Sequence, residues 1–227
     1  MKQMNVPYMG FSLSWNFYTT DNRYAGYPED RAAIDGVLDD LAKIFSICAR
    51  HELFFPVSIT NDEEETVLFE NDDAGKILEQ IRLMLEKNVI TYEIVQINGY
   101  GLVYLPGGEK ARQENLIGIG SIRLFERQIS LFTLKSIWVP VLFDDSYQFN
   151  WQVELATLNA PRLQQCLEEI HQALGTEVSP APGETNRENP VWQAGFRLYV
   201  NPEILIREFE SSPPAGLAGP EPFLYTE

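Results

Sequence analysis

The chain has 227 residues, of which 44% are hydrophobic and 12% aromatic, so it can build one sizeable core and extensive disorder is excluded. Its 33 acidic and 17 basic residues give a formal net charge of −16, which argues against binding to nucleic acid or to an anionic membrane surface. No apolar stretch approaches the ~18 residues of a membrane span, and no apolar secretory signal follows Lys2, so we expect a cytoplasmic protein.

The charges are distributed unevenly along the chain. Residues 1–100 hold 17 acids and 8 bases, residues 101–135 hold 3 acids and 5 bases, and residues 136–227 hold 13 acids and 4 bases. The two acidic flanks favour solubility and a cationic partner. We expect the bases of the middle segment to pair with these flanks inside the fold; they are Lys110, Arg112, Arg123, Arg127 and Lys135.

The first predicted elements are a strand and a long helix. Residues 8–18 are rich in aromatic side chains and alternate in part, which predicts a β-strand. A helix is predicted from Pro28 to Arg50, because apolar residues recur along it at spacings of three and four. The residues of this apolar stripe are Ile34, Val37, Leu38, Leu41, Ile44, Phe45 and Cys48.

A pattern of strand, acidic turn, strand and helix then occurs twice, at residues 53–87 and 137–174. We expect Asn71, Asp72 or Asp73 to cap the first helix, and Asn159 and Pro161 to begin the second. The pattern indicates either a duplicated ββα unit or two unrelated units of a common type. The predicted elements are strands 53–60 and 66–70 with a helix at 73–87, and strands 137–143 and 147–157 with a helix at 160–174.

The remaining segments predict short strands, turns and a tail. The predicted fold is therefore an α+β domain over residues 1–210, with a mixed or mainly antiparallel sheet and about three main helices. The further predicted elements are strands at 92–97, 100–105, 117–126, 128–134 and 191–200, turns at Asn98-Gly99 and Pro106-Gly107-Gly108, a polar loop at 176–190, a short helix from Pro202 to Phe209, and a flexible tail at 211–227.

Acidic residues in the predicted turns are the candidate partner-binding residues. Like charges held close together attract a cationic partner and raise its association rate. The alternative is a solvated hairpin tip that only keeps the protein soluble. None of these runs has the spacing of a calcium loop, so we predict no metal site. The candidates are Asp62, Glu63, Glu64, Glu65, Asp72, Asp73, Asp144 and Asp145.

No catalytic residues and no cofactor are predicted. His51 and His171 fall near predicted helix C-termini, where an imidazolium interacts well with the helix dipole. Cys48 lies three residues before His51, but its place in an apolar stripe favours a core thiol over a nucleophile. We expect Cys48 and Cys166 to be a reduced, buried pair. The glycine segments at 99–101, 107–108 and 118–120 lack the spacing of phosphate-binding loops and are interpreted as turns.

Together these observations predict a non-catalytic protein-binding module, most specifically a cytoplasmic inhibitor or immunity-type protein that binds a basic partner through an acidic surface. Two other functions stay open. One is an enzyme whose carboxylates act as general acid and base in a cleft between the two ββα halves. The other is a structural subunit that forms homo-oligomers through an exposed strand edge.

Overall fold

The computed structural model describes residues 2–4, 8–19, 31–61, 64–87, 96–123, 128–143, 149–180, 191–194 and 196–200. The helices within these ranges are α1 (Arg31–Arg50), α2 (Ala74–Glu86), a 3-10 helix (Ser136–Trp138) and α3 (Val153–Leu174). The strands are β1 (Lys2–Gln3), β2 (Tyr8–Thr19), β3 (Phe55–Thr60), β4 (Thr66–Leu68), β5 (Gln96–Tyr104), β6 (Lys110–Glu114), β7 (Gly118–Arg123), β8 (Gln128–Lys135), β9 (Val141–Phe143), β10 (Phe149–Trp151), β11 (Thr176–Pro180), β12 (Val191–Ala194) and β13 (Arg197–Val200).

Nine of these strands form one sheet. Strands β1, β6, β5, β7, β8, β2 and β11 follow one another, and β3 joins β4 to β5. Its pairings are antiparallel except for that of β1 with β6. Two small sheets, β9 with β10 and β12 with β13, complete the described strands. The predicted α+β class with a mainly antiparallel sheet is therefore confirmed.

One hydrophobic core joins the inner face of the large sheet to α1, α2 and α3. Alternate residues of β2, namely Leu13, Trp15 and Phe17, are buried in it. The apolar stripe predicted for α1 is buried from Ile34 to Cys48. Burying one large apolar side chain stabilises the fold by about 1.5–3 kcal/mol, so these periodic positions specify which face of each element turns inward.

Strand β5 is one continuous strand where two were predicted, at 92–97 and 100–105. We expected Asn98-Gly99 to turn the chain, but both residues lie inside β5. The glycines of this strand serve close packing instead. A Cβ atom on Gly99 would overlap the carbonyl oxygen of Phe55, and one on Gly101 would overlap that of Leu53. The chain entering β3 can therefore cross β5 only where side chains are missing.

The turn predicted at residues 106–108 is confirmed. It joins β5 to β6, and Gly107 and Gly108 adopt φ values of 92° and 87°, which favour glycine. Strand β6 was not predicted, because four of its five residues are polar or charged. Strand β7 lies within the strand predicted at 117–126, so the interpretation of Gly118 to Gly120 as a turn is wrong, and both glycines lie in β7 beneath the ring of Phe132.

The structure does not confirm the internal repeat. The first hairpin belongs to the large sheet, whereas β9 and β10 form a sheet of their own. The strand predicted at 137–143 begins in a 3-10 helix and only its last three residues form β9, and α3 begins at Val153 instead of residue 160. Pro161 therefore lies inside α3, and Asn159 is buried there rather than capping its start.

The segment after α3 also differs from the prediction. Thr176–Pro180, expected at the start of a polar loop, is strand β11 and pairs with β2. The strand predicted at 191–200 is a hairpin of two strands, β12 and β13. The rest of the predicted loop, the short helix after Pro202 and the tail at 211–227 lie outside the described residues.

Candidate functional site

Four of the predicted partner-binding acids lie within the described residues, and all four are exposed. Glu64 and Glu65 stand in the turn between β3 and β4, and Asp72 and Asp73 stand between β4 and α2. The other four acids, Asp62, Glu63, Asp144 and Asp145, lie outside the described residues. The structure thus places Glu64 and Glu65 before the three-residue strand β4 and Asp72 and Asp73 after it.

Local hydrogen bonds hold both ends of this acidic segment. In the turn, Asn61 Oδ1 accepts a 2.8 Å hydrogen bond from the Glu65 N–H, and Glu65 O accepts one of 3.0 Å from the Asn61 N–H. Before α2, Asp73 Oδ1 accepts a 3.0 Å hydrogen bond from the Lys76 N–H and caps the helix as predicted. The Asp73 carboxylate therefore serves as the N-cap of α2, while Glu64 and Asp72 are exposed on the same segment.

Strand β4, between these acids, is an edge strand that pairs only with β3 among the described strands. Its Leu68 side chain is 66% exposed. Helix α2 covers part of the open edge, because Gln80 accepts from the Glu70 N–H at 3.2 Å and donates to Leu68 O at 3.4 Å. Since Gln80 occupies these backbone groups, the side chains of β4, rather than its open edge, are what this region offers to a partner.

The outward face of the central sheet differs from this acidic edge. Among the described side chains of β2, β5 and β8, the positions that alternate with the buried ones carry no charge. This uncharged face reaches β4 through Thr60, whose hydroxyl lies 3.4 Å from Asn98 Nδ2 and 3.0 Å from the Thr66 hydroxyl. The uncharged positions are Ser14, Asn16 and Tyr18 on β2, Gln96, Asn98, Tyr100, Leu102 and Tyr104 on β5, and Gln128, Ser130 and Phe132 on β8.

A second polar group, not predicted from the sequence, begins with Glu52 at the end of α1. Glu52 has a φ of 56°, in the left-handed region that favours glycine. Its N–H donates to Ala49 O, and the N–H of Leu53 donates to Cys48 O, each at 2.9 Å, which closes the helix. A residue other than glycine costs about 1–2 kcal/mol in this conformation, so contacts of the Glu52 side chain have to offset that cost.

The carboxylate of Glu52 accepts two short hydrogen bonds from the β5–β6 hairpin. Lys110 Nζ donates at 2.6 Å and the Tyr104 hydroxyl at 2.7 Å. These bonds, that from Lys110 first, hold the pKa of Glu52 below its usual value, because they favour the ionised carboxylate. The Tyr104 ring also contacts two cations, Lys110 Nζ at 4.7 Å and the Arg162 guanidinium at 3.7 Å from its centroid.

Helix α3 completes this group along the edge of β5 that β3 leaves uncovered. Asn159 Oδ1 accepts from the Tyr104 N–H and its Nδ2 donates to Tyr104 O, both at 2.9 Å. Arg162 donates to Leu102 O at 3.0 Å and to His51 O at 2.5 Å. These side chains take the place of a neighbouring strand, so the Glu52 cluster (Glu52, Tyr104, Lys110, Asn159 and Arg162) ties α1, the β5–β6 hairpin and α3 together.

The Glu52 cluster also tests the prediction that central bases pair with the acidic flanks. The prediction is confirmed for Lys110, whose partner Glu52 lies in the first flank. It is wrong for Arg112, which pairs with Glu114 of its own strand at 2.7 Å and stacks on the Tyr100 ring. Apart from the excess of bases in the middle segment that contains Lys110, the sequence carried no signal for this cluster.

Replacing Glu52 by glutamine should remove a pH-dependent part of the stability. The folded-state pKa of Glu52 is lowered, so its ionised form stabilises the fold above its ordinary pKa, and that contribution is lost as the pH falls through the folded value. Glu52→Gln should be less stable than the wild type near neutral pH, and the difference should shrink on acidification. Urea unfolding between about pH 7 and about pH 3 measures this, with the exposed Glu109→Gln as control. A difference that stays constant with pH would contradict the assignment.

Both cysteines and His51 have partners across the contact between α1 and α3. Cys48 Sγ of α1 lies 3.6 Å from Cys166 Sγ of α3, and both thiols are free and buried, as predicted. His51 Nε2 lies 3.0 Å from Glu169 Oε1. His171 lies in the last turn of α3 near the Phe196 ring, and its buried Nδ1 has no hydrogen-bond partner among the described residues. Cys48 and His51 thus each face α3, which does not favour them as a nucleophile and its base.

Comparison with protein-family models, with curated proteins and with solved structures finds no match to this chain. In the part of the chain that the structure describes, no group of three or more His, Cys, Asp or Glu side chains is arranged to hold a metal ion. Across the same residues, no helix has the length and apolar character needed to cross a membrane. The candidate site therefore depends on the acidic segment and its neighbourhood alone.

Proposed function

We propose that this chain is a non-catalytic binding module that recognises a basic protein partner through an acidic surface. That surface consists of Glu64, Glu65, Glu70, Asp72 and Asp73, with the exposed Leu68 among them. In its more specific form, the proposal is a cytoplasmic inhibitor of the immunity type. The observation that carries it is that all five of these acidic residues are exposed, on both sides of one edge strand.

Charge supports the proposal first. Residues 62–73 contain seven acids and no base in twelve positions, within a chain of formal charge −16. Such a concentration of one sign attracts a partner of the opposite sign over about a Debye length, ~8–10 Å at physiological salt, and raises its association rate. Lys76 is the first base after this segment, and its Nζ bonds Asn71 at 3.3 Å rather than a carboxylate of the surface.

The exposed leucines provide the second support. Leu68 is 66% exposed on β4, and Leu83 is 43% exposed on α2, the helix that packs beside that strand through Gln80. Removing an exposed apolar side chain from water is favourable by roughly 25 cal/mol for each Å², and the part that exceeds the entropic cost of association stabilises a complex. A basic partner with an apolar contact between its cations would therefore gain both charge attraction and apolar burial at this surface.

Affinity capture with a matched control variant tests the proposal. The test variant is E64K/E65K/D72K, and the control is D39K/E109K/E154K, which changes the net charge equally at exposed acids elsewhere. We expect the wild type and the control to retain the same basic protein stoichiometrically from native lysate at low salt, and the test variant to lose it. Equal retention by all three proteins would contradict the proposal, and retention of only further copies of the chain would favour self-assembly instead.

A further inference from the structure

Helices α1 and α3 hold Cys48 and Cys166 directly opposite each other. Their Sγ atoms lie 3.6 Å apart, although 118 positions separate the two residues in the chain. A disulfide needs about 2.05 Å between sulfurs, so the two sulfurs would approach by roughly 1.5 Å to form one. Both thiols lie in the core, with 0% and 1% of their surface exposed.

Polar contacts on both sides of Cys166 tie α3 to the C-terminal end of α1. Arg162, Cys166 and Glu169 share one face of α3, because they are spaced by four and three residues. Arg162 donates to His51 O at 2.5 Å, and Glu169 accepts from Arg50 at 2.7 Å. Since these ties bracket Cys166, the sulfurs are held opposite each other by more than apolar packing.

We propose that Cys48 and Cys166 are a redox-modifiable pair, which a diffusible two-electron oxidant such as hydrogen peroxide converts into a disulfide that locks α1 to α3. One thiol attacks the peroxide to give a sulfenic acid and one water. The second thiol then attacks that sulfur, forms the S–S bond and releases a second water. Two thiols thus lose two protons and two electrons in total, and the peroxide is reduced to two waters.

The burial of the pair makes this a slow modification. The contact with Cys48, together with burial, raises the pKa of Cys166 well above its usual value, so this thiol stays protonated at neutral pH. The oxidant reaches the sulfurs during local opening of the helices. Once formed, the bond would close a loop of 118 positions, and long loops give a disulfide its largest stabilising effect.

The test treats the native, reduced chain with hydrogen peroxide and follows intact mass, cysteine alkylation and the thermal midpoint. We expect a monomer that has lost two hydrogens, and a midpoint raised by roughly 5–15 °C that returns to its starting value with dithiothreitol. Cys48→Ala and Cys166→Ala, treated in parallel, should show neither change. Two thiols still free, oxygenated cysteines without a bridge, a bridge between molecules, or a lowered midpoint would each overturn the proposal.

Discussion

Replacing Gly99 by alanine is expected to destabilise the fold by about 3 kcal/mol or more, since overpacking against fixed backbone leaves no cheap relaxation. The added Cβ atom would overlap the carbonyl oxygen of Phe55 and lie 2.8 Å from the Phe54 ring. Phe55 begins β3, which is hydrogen-bonded to β5 on both sides of the overlap. The new methyl group therefore cannot be accommodated without separating the two strands.

Denaturant unfolding of Gly99→Ala beside Gly75→Ala measures this effect. Gly75 lies in the first turn of α2, where a Cβ atom would meet only the Asp73 carboxylate, at 3.2 Å. Because alanine has a higher helix propensity than glycine, the free energy of unfolding of Gly75→Ala should stay within about 1 kcal/mol of the wild type. Equal stability of the two variants would show that the chain does not cross β5 at Gly99.

Replacing Asn159 by leucine should cost about 2–4 kcal/mol, because it leaves buried backbone groups without partners. Asn159 is fully buried and satisfies both the N–H and the C=O of Tyr104, and its Oδ1 also accepts from Arg162 at 2.9 Å. Leucine has the same branched skeleton of side-chain heavy atoms, with methyl groups that are bulkier than the amide, and it provides no donor or acceptor. The change therefore removes these hydrogen bonds and also adds volume in the core.

The matched control for this variant is Gln165→Leu, an amide-to-leucine change at an exposed position of the same helix. It should alter the free energy of unfolding by no more than about 0.5 kcal/mol. Urea melts of the two variants at neutral pH give the comparison. If Asn159→Leu were as stable as Gln165→Leu, the amide would not be what covers the edge of β5.

The elements predicted correctly are those whose own residues specify a buried face. The stripe from Ile34 to Cys48 and the alternation of Leu13, Trp15 and Phe17 each repeat with the period of their element, and the structure buries both sets. Such patterns report local geometry and one neighbouring layer. These patterns are the same whichever distant strand or helix provides that layer.

The predictions that were wrong concern residues whose role is decided by distant partners. Asn159 resembles a helix cap in the sequence, but the backbone of Tyr104, 55 positions away, is what it binds. Gly99 after Asn98 resembles a hairpin turn, but Phe55 packs against it. Only the folded chain brings these pairs together, so tertiary contacts override the local turn and cap preferences at such positions.

The Glu52 cluster was not predicted, for the same reason. The exposed acids at 64, 65, 72 and 73 were predicted. Glu52 binds Lys110, which lies 58 positions away in the sequence. No pattern in the neighbouring residues indicates the left-handed backbone conformation of Glu52. The acids at 62–73, by contrast, are consecutive or nearly so, and Asn61 marks their turn. The exposure of Leu68 beside them was not foreseen, because the alternation of a three-residue strand is too short to assign a face.

The association rate of the retained basic protein, measured at increasing ionic strength, tests the proposed role of the acidic surface most directly. For the wild type, we expect a rate that falls steeply with salt, because screening removes the attraction. For E64K/E65K/D72K, we expect an association rate at least about tenfold lower at low salt. This rate should fall only slightly as salt is added. If the two proteins showed equal rates and equal salt dependence, the acidic surface would not be what recognises the partner.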